Sequence, residues 1–231
     1  ACLVGSEMCI RDRFKELYNE QLRNEGNPEF DFTPWTGNID WQDEIFQTGF
    51  ITNNNVSITG ASARHSFYLG AGYAYEQGNI KHEKYSKVTL NISNDYKVTD
   101  NFKVGFQFNG ARILPADTKS VATALRAAPV APVYNAEYGL YTTLPGFQKA
   151  QMNNPMVDVD LKANTTRAEN YRASGNVYGQ WDFLKNFQFK VMYSMDYASN
   201  SSRTYTPVIN VFDSSVEGNV VTLGNGKTGV K

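Results

Sequence analysis

The chain has 231 residues, with 22 Lys and Arg against 23 Asp and Glu, which gives a formal net charge of −1. This balance excludes a basic nucleic-acid-binding surface as the main function. Aromatic residues make up 13% of the chain, which excludes a disordered protein, and much of the polarity comes from 23 uncharged Asn side chains. No run of 18 apolar residues is present, so the sequence predicts no transmembrane helix, whereas a transmembrane β-barrel is compatible with it.

The first thirteen residues do not resemble a natural N-terminus. They contain both cysteines of the chain, Cys2 and Cys9, but two thiolates are too few for a closed structural metal site. Residues 3–12 (LVGSEMCIRD) resemble the translation of a transposase-type sequencing adapter. This resemblance implies that residues 1–13 are an artefactual leader and that the protein sequence begins near Phe14. A natural disordered N-terminus is the alternative.

The segment before residue 51 predicts short helical elements. Residues 14–25 carry apolar side chains at helical spacing and predict a short N-terminal helix that Gly26 and Pro28 end. Asp40 precedes a second short apolar stretch, so it is predicted to cap a helical turn over 41–46.

From residue 51 onward the apolar residues alternate with polar ones, which predicts β-strands. In residues 65–76, for example, Phe67, Leu69 and Tyr73 share one face, and Ser66 and Gly70 share the other. The predicted strands are 51–60, 65–76, 85–98, 101–112, 171–183 and 186–197, and the tail adds weaker candidates at 205–212 and 219–223. The fold class is therefore all-β, with a short N-terminal helix.

Two architectures fit this alternation. A water-soluble β-sandwich turns the apolar face of each strand towards a core, whereas an outer-membrane barrel turns it towards lipid. Strands of about 10 residues or more, aromatic residues near their ends and strongly unequal connections favour the barrel. The connections at 99–101 and 184–186 are tight turns, whereas residues 113–167 form one long connection, interpreted as an extracellular loop.

The long connection contains the candidate ligand-binding residues. Residues 117–126 predict a short helix, and a segment rich in Tyr, Gly and Pro follows it. Exposed aromatic side chains in such a loop can stack on sugar rings, which makes Tyr134, Tyr138, Tyr141 and Phe147 candidates for substrate binding. The alternative is that these aromatics pack the loop onto its neighbours.

The sequence offers little support for an enzyme. Its two histidines, His65 and His82, have no Ser or Cys partner in a recognisable motif, so both are interpreted as structural or solvated. Asp158 and Asp160 are a possible carboxylate pair or Ca²⁺ ligand set, but alternating carboxylates in a loop are more often solvated. No catalytic residue, metal site or cofactor is predicted.

Several segments, in this order, resemble the SusC/RagA family of TonB-dependent outer-membrane transporters. They are 40–46 (DWQDEIF), 55–60 (NVSITG), 68–73 (YLGAGY), 76–81 (EQGNIK), 102–105 (FKVG), 125–129 (LRAAP) and 132–135 (PVYN).

The resemblance implies a 22-stranded barrel closed by a plug, of which this chain would be an incomplete part with about six strands. Residues 14–50 would then be the end of the plug region or a linker, and 51–231 the N-terminal part of the barrel. It also implies the outer membrane of a Gram-negative, Bacteroidetes-type bacterium and contact with its lipid. The implied partners are a SusD-like lipoprotein lid, the TonB complex through a region upstream, and an oligosaccharide or peptide cargo, with no nucleic acid. A soluble β-sandwich that binds glycans is the alternative function.

The resemblance leaves one difficulty of strand direction. If the 113–167 connection lies outside the cell, strand 51–60 runs inward, whereas a first barrel strand should start on the periplasmic side. Residues 51–60 are therefore interpreted as an edge of the plug region.

Overall fold

The computed structural model describes residues 8–117, 121–163, 165–184, 186–215, 220–224 and 226–230. Four short α-helices and a π-helix accompany eleven strands within these ranges. The helices are α1 (Met8–Asn24), α2 (Trp41–Ile45), α3 (Val121–Arg126), α4 (Gly146–Lys149) and the π-helix Val157–Leu161. The strands are β1 (Phe50–Ala61), β2 (His65–Gln77), β3 (Lys84–Thr99), β4 (Phe102–Leu114), β5 (Tyr134–Asn135), β6 (Leu140–Tyr141), β7 (Thr166–Phe183), β8 (Phe187–Tyr205), β9 (Ile209–Phe212), β10 (Val220–Leu223) and β11 (Thr228–Val230).

The long strands form one open antiparallel sheet. Its order is β1-β2-β3-β4-β7-β8-β11, and two separate hairpins, β5-β6 and β9-β10, lie outside it. All six predicted strands are present, and β11 extends the sheet to seven strands. Strand β1 pairs with β2 along its whole length, so residues 51–60 are continuous with the main sheet and form its first strand.

The register aligns the predicted apolar faces of all these strands. Ile92 lies opposite Phe108, Val177 lies opposite Tyr193, and Leu69 pairs with Ile92. Because side chains alternate along each strand, a shift of one residue would move a whole apolar set to the other face. The sheet therefore presents one continuous apolar and aromatic face and one polar face.

Several predicted element boundaries are corrected by the structure. Helix α1 begins at Met8, inside the predicted leader, and not at Phe14. Strand β7 begins at Thr166 and β8 continues to Tyr205, because backbone pairing extends past the apolar alternation into polar residues. The 205–212 segment holds a separate strand, β9, and the 219–223 segment holds β10, with residue 219 outside the described ranges. The helix predicted over 117–126 is described only as Val121–Arg126.

Local capping explains the first two helices. Gly26 has a φ of 74°, and Asn27 N donates to Leu22 O at 2.8 Å, which is the Schellman arrangement that ends α1. The carboxylate of Asp40 accepts from the backbone N–H groups of Gln42 and Asp43, which confirms it as the N-cap of α2.

The buried core does not lie on the main sheet. Within the described residues, every buried apolar side chain belongs to the segment before β1, the β2–β3 connection, the β4–β7 connection or β9. We call the described residues of 8–49, 115–165 and 206–224 the end cap. The sheet's apolar side chains are instead exposed, with 73% of Tyr193 and 61% of Val177 accessible to solvent.

Candidate functional site

All long segments meet at one end of the sheet. Residues 62–64 and 100–101 make turns at the opposite end, where β7 also ends and β8 begins, as the strand bounds require. The segment before β1, the β2–β3 connection and the β4–β7 connection therefore share the capped end. Gln47 Nε2 donates to the carbonyls of Gly78 and Ile80, each at 3.0 Å, which fixes the first segment to the β2–β3 connection.

Trp41 joins the two longest segments of the end cap. Its indole Nε1 donates to Ala128 O at 3.0 Å, and the side chain is buried. Alongside it, Gly37 N donates to Val130 O at 2.8 Å and Ile39 N donates to Pro129 O at 3.0 Å. The 35–46 segment and the long connection thus share one core and one set of backbone hydrogen bonds.

Gly37 is required by this close approach. A Cβ on Gly37 would stand 2.6 Å from the backbone carbonyl carbon of Ala131, a distance that real Cβ contacts do not reach. Backbone atoms cannot yield as a flexible side chain can, so a larger residue would separate the two segments.

Phe147, the last candidate ligand residue, belongs to an aromatic cluster inside the cap. Its ring lies 4.4 Å from that of Tyr18 and 5.1 Å from that of Phe30, with Phe14 and Phe32 completing the group. Edge-to-face and offset-stacked pairs at such distances stabilise a core. The structure therefore places Phe147, from α4, in packing against α1 and the segment that follows it.

Tyr141 is held by a partly buried polar contact. Its hydroxyl donates to Asp160 Oδ2 at 2.6 Å, and the other oxygen of Asp160 lies 2.8 Å from His82 Nε2. Burial, and then the hydrogen bond to Asp160, raise the pKa of Tyr141 to about 12. Asp160 thus connects the long connection to the β2–β3 connection, while Asp158 pairs separately with Lys162 at 2.5 Å.

Tyr134 and Tyr138 remain accessible on the surface of the cap. Tyr134 is 50% exposed and packs edge-on against Tyr141, with ring centroids 5.5 Å apart. Tyr138 is 41% exposed and stacks on Phe212 at 4.7 Å. The structure therefore places Tyr134 and Tyr141 in one ring pair and Tyr138 in another with Phe212, and leaves Phe147 in a different cluster.

A cavity of about 330 Å³ lies between the long connection and the β9-β10 hairpin. Its apolar walls include Leu144, Val157, Val211 and Leu223, with Lys149, Asn154 and Asp213 as polar lining groups. A concave site with apolar walls and a few fixed polar groups is typical of small-ligand pockets.

Asp213 is the buried charge of this cavity. Its carboxylate accepts from Lys149 Nζ at 2.8 Å and from the backbone and hydroxyl of Ser215. Burial alone would raise the pKa of Asp213, but these hydrogen bonds outweigh it and hold the pKa below its ordinary value. The aspartate is therefore an ionised, paired group that shapes the cavity wall.

This cavity could not be predicted from the sequence because its walls come from segments far apart in the chain. Lys149 and Asp213 are 64 residues apart. The sequence shows only local turn signals at this site. They are Asn154 before Pro155 and Asp213 before Ser214 and Ser215, and turns with these residues occur in many loops.

The described ranges contain no helix that is long and apolar enough to cross a membrane. Nor do they contain a group of three or more His, Cys, Asp or Glu residues placed to hold a metal ion.

No protein-family model matches the chain, whereas curated proteins do. TonB-dependent receptor P3 of Formosa agariphila is 25% identical over 193 residues, which cover 78% of this chain and 19% of that protein. TonB-dependent receptor P26 of the same species is 28% identical over 190 residues, covering 82% and 18%. TonB-dependent receptor SusC of Bacteroides thetaiotaomicron is 24% identical over 191 residues, covering 73% and 19%.

This chain is a relative of the SusC/RagA-type TonB-dependent receptors. It spans about a fifth of the length of the curated relatives that it matches. The resemblance inferred from the seven sequence segments is thereby confirmed.

Solved structures show the same fold. The chain matches the RagAB peptide importer in its closed-closed state with a TM-score of 0.57 and 18% identity, over 86% of this chain and 23% of that one. In the open-open state the TM-score is 0.59 with 14% identity, over 88% and 24%. The relatives are named as receptors and importers, which supports a role other than catalysis.

Proposed function

We propose that this chain forms part of the barrel wall of a TonB-dependent importer in the bacterial outer membrane. The observation that carries the proposal is the exposed apolar face of the main sheet. Val56, Phe189, Tyr193 and Met195 are all more than half exposed on that face. An apolar surface of this extent needs a covering, and lipid covers such a face along a whole barrel wall.

The same observation disfavours the soluble β-sandwich. A sandwich buries the apolar face of each sheet against the other sheet. The two-stranded β5-β6 and β9-β10 hairpins lie beyond the sheet's end, and the buried side chains of the described ranges lie in the end cap and the β2–β3 connection.

The end cap would lie at the outer mouth of the barrel. Short turns at one end and long connections at the other are typical of outer-membrane barrels, with the long connections outside. On this assignment residues 14–49 stand beside the long connection at the mouth, which differs from their predicted place at the end of the plug region. The direction of β1 then needs no separate explanation.

The complete protein would be a plugged barrel of about 22 strands, to which this chain contributes the six long strands. Its cargo would be an oligosaccharide or a peptide, taken up with a SusD-like lipoprotein as lid and driven by the TonB complex. Tyr134 and Tyr138 would contact the cargo, since both rings are exposed on the cap.

The test is uptake by a bacterium that carries the gene. Labelled oligosaccharide and peptide mixtures are supplied to the wild type, to a strain with the gene disrupted and to a strain without TonB. Disruption should abolish uptake of one class of cargo, and loss of TonB should abolish the same uptake. Uptake that is unchanged in the disrupted strain, or independent of TonB, would contradict the proposal.

Substitution of the exposed aromatics tests the contact residues. Tyr134→Ala with Tyr138→Ala should reduce uptake by about 2- to 10-fold for each lost stacking contact. Tyr197→Ala, at an exposed tyrosine on the apolar face of the sheet, is the matched control and should leave the uptake rate unchanged.

A further inference from the structure

The apolar face of the sheet ends in arginines on the side of the end cap. Tyr171 is the aromatic residue of β7 nearest to the end cap on this face. Glu169 and Arg167 lie beyond it towards the cap, at alternating positions of the strand. Arg112 lies opposite Tyr171 on β4, and Arg203 lies opposite Arg167 on β8. Three arginines from three neighbouring strands therefore stand together.

One carboxylate serves this group. Glu169 Oε1 accepts from Arg112 Nη2 at 3.2 Å and from Arg167 Nη2 at 3.1 Å, while Tyr171 donates to Glu169 Oε2 at 3.1 Å. Arg203 makes no ion pair within the described ranges. The group thus carries three positive charges against one negative charge.

The pairing of Arg167 with Arg203 is unfavourable without an anion. Like charges directly opposite each other on neighbouring strands destabilise a sheet. A cavity of about 290 Å³ lies beside them, lined by Arg167, Glu169, Ser201 and Arg203 together with Ser202 and Val230. A bound anion in this cavity would neutralise the excess charge, and guanidinium groups bind phosphate with paired hydrogen bonds.

The height of the group on the wall identifies the anion's source. Tyr171 and Phe183 mark the two ends of the apolar stretch of β7, about 40 Å apart at roughly 3.3 Å per residue. A strand tilted by about 45° projects that length to about 28 Å, close to the thickness of a bilayer's hydrocarbon core. On the same basis Arg167 lies about 9 Å beyond Tyr171, which is the level of the lipid headgroups.

We propose that Arg112, Arg167 and Arg203 form a binding site for the phosphate of a lipid headgroup in the outer leaflet. The inference rests on the proposed function, because it requires the apolar face to contact lipid. The lipid would sit with its acyl chains along the apolar face and its phosphate between Arg167 and Arg203.

The site can be tested with the complete transporter that carries this sequence. The protein is reconstituted into phosphatidylcholine vesicles with and without bisphosphorylated lipid A, extracted into detergent, and the retained lipid A is counted by native mass spectrometry. Arg167→Gln with Arg203→Gln should lower lipid A retention by about tenfold, as expected for the loss of charge-assisted hydrogen bonds. Arg172→Gln is the matched control, since Arg172 lies on the same strand but on the polar face, and it should retain lipid A as the wild type does.

Three outcomes would overturn the site. Equal retention by the double variant and the wild type would show that the two arginines do not bind the headgroup. Complete displacement of lipid A by inorganic phosphate would identify a site for a small anion and not for a lipid. Flotation of the vesicles in a density gradient before extraction separates the two proposals. If the wild-type protein fails to float with the vesicles, the barrel-wall proposal fails as well, whereas flotation with lipid A retention that does not depend on the arginines refutes this site alone.

Discussion

Trp41 should hold the two longest segments of the end cap, 8–49 and 115–165, together. Trp41→Phe tests this directly. The substitution keeps an aromatic ring but removes the Nε1 donor, which leaves the buried Ala128 carbonyl with only the long 3.5 Å contact from the backbone N–H of Ala131. A contact of that length satisfies the carbonyl poorly, and an under-satisfied buried polar group costs about 1–3 kcal/mol. At about 1.4 kcal/mol per factor of ten, local opening of the cap should increase by about 5- to 150-fold.

Hydrogen exchange measures this opening. The amides of Gly37 and Ile39 donate to Val130 and Pro129 beside the tryptophan, so they should exchange faster in Trp41→Phe by that factor. Trp181→Phe is the matched control, because Trp181 is 49% exposed on the sheet and should leave both amides unchanged. Unchanged exchange at Gly37 and Ile39 in Trp41→Phe would refute the role assigned to this side chain.

Two further substitutions probe the cap. Gly37→Ala should destabilise the cap by about 1–3 kcal/mol, because the new Cβ would meet the Ala131 backbone at 2.6 Å, and limited proteolysis should become faster. Gly146 has open space around it, so Gly146→Ala is the control and should be cleaved at the wild-type rate. The pKa of Tyr141 is raised from 10.0 to about 12, so its contribution to cap stability is complete below pH 10 and is lost as the pH rises to about 12. Tyr141→Phe should abolish that loss and remove one late step from the tyrosinate absorbance titration, and identical titrations in both proteins would contradict the assignment.

The sheet could be predicted from the sequence because its signal is local. Alternation at Phe187, Phe189 and Val191 fixes both the strand and the face that each side chain takes. The same signal failed at the strand ends. Arg167 and Glu169 occupy positions on the apolar face, so the pattern breaks while the backbone pairing continues.

The end cap could not be predicted because its contacts are distant in sequence. The Trp41 indole and the Ala128 carbonyl are 87 residues apart, and neither segment has a strong secondary-structure pattern. The candidate aromatics illustrate the limit. Composition alone identified Tyr134 and Phe147 equally, yet one ring is half exposed and the other packs against Tyr18.

The most direct test of the central claim is the environment of the two sheet faces in the complete protein. Tyr193 and Ser194 are neighbours on β8, point to opposite faces and are both exposed. Tyr193→Cys and Ser194→Cys therefore form a matched pair, each introduced into a protein without Cys2 and Cys9. In native membranes, a lipid-soluble maleimide should label Tyr193→Cys, whereas a water-soluble maleimide should label only Ser194→Cys. Labelling of Tyr193→Cys by the water-soluble reagent, at the rate seen for Ser194→Cys, would contradict the assignment of the apolar face to lipid.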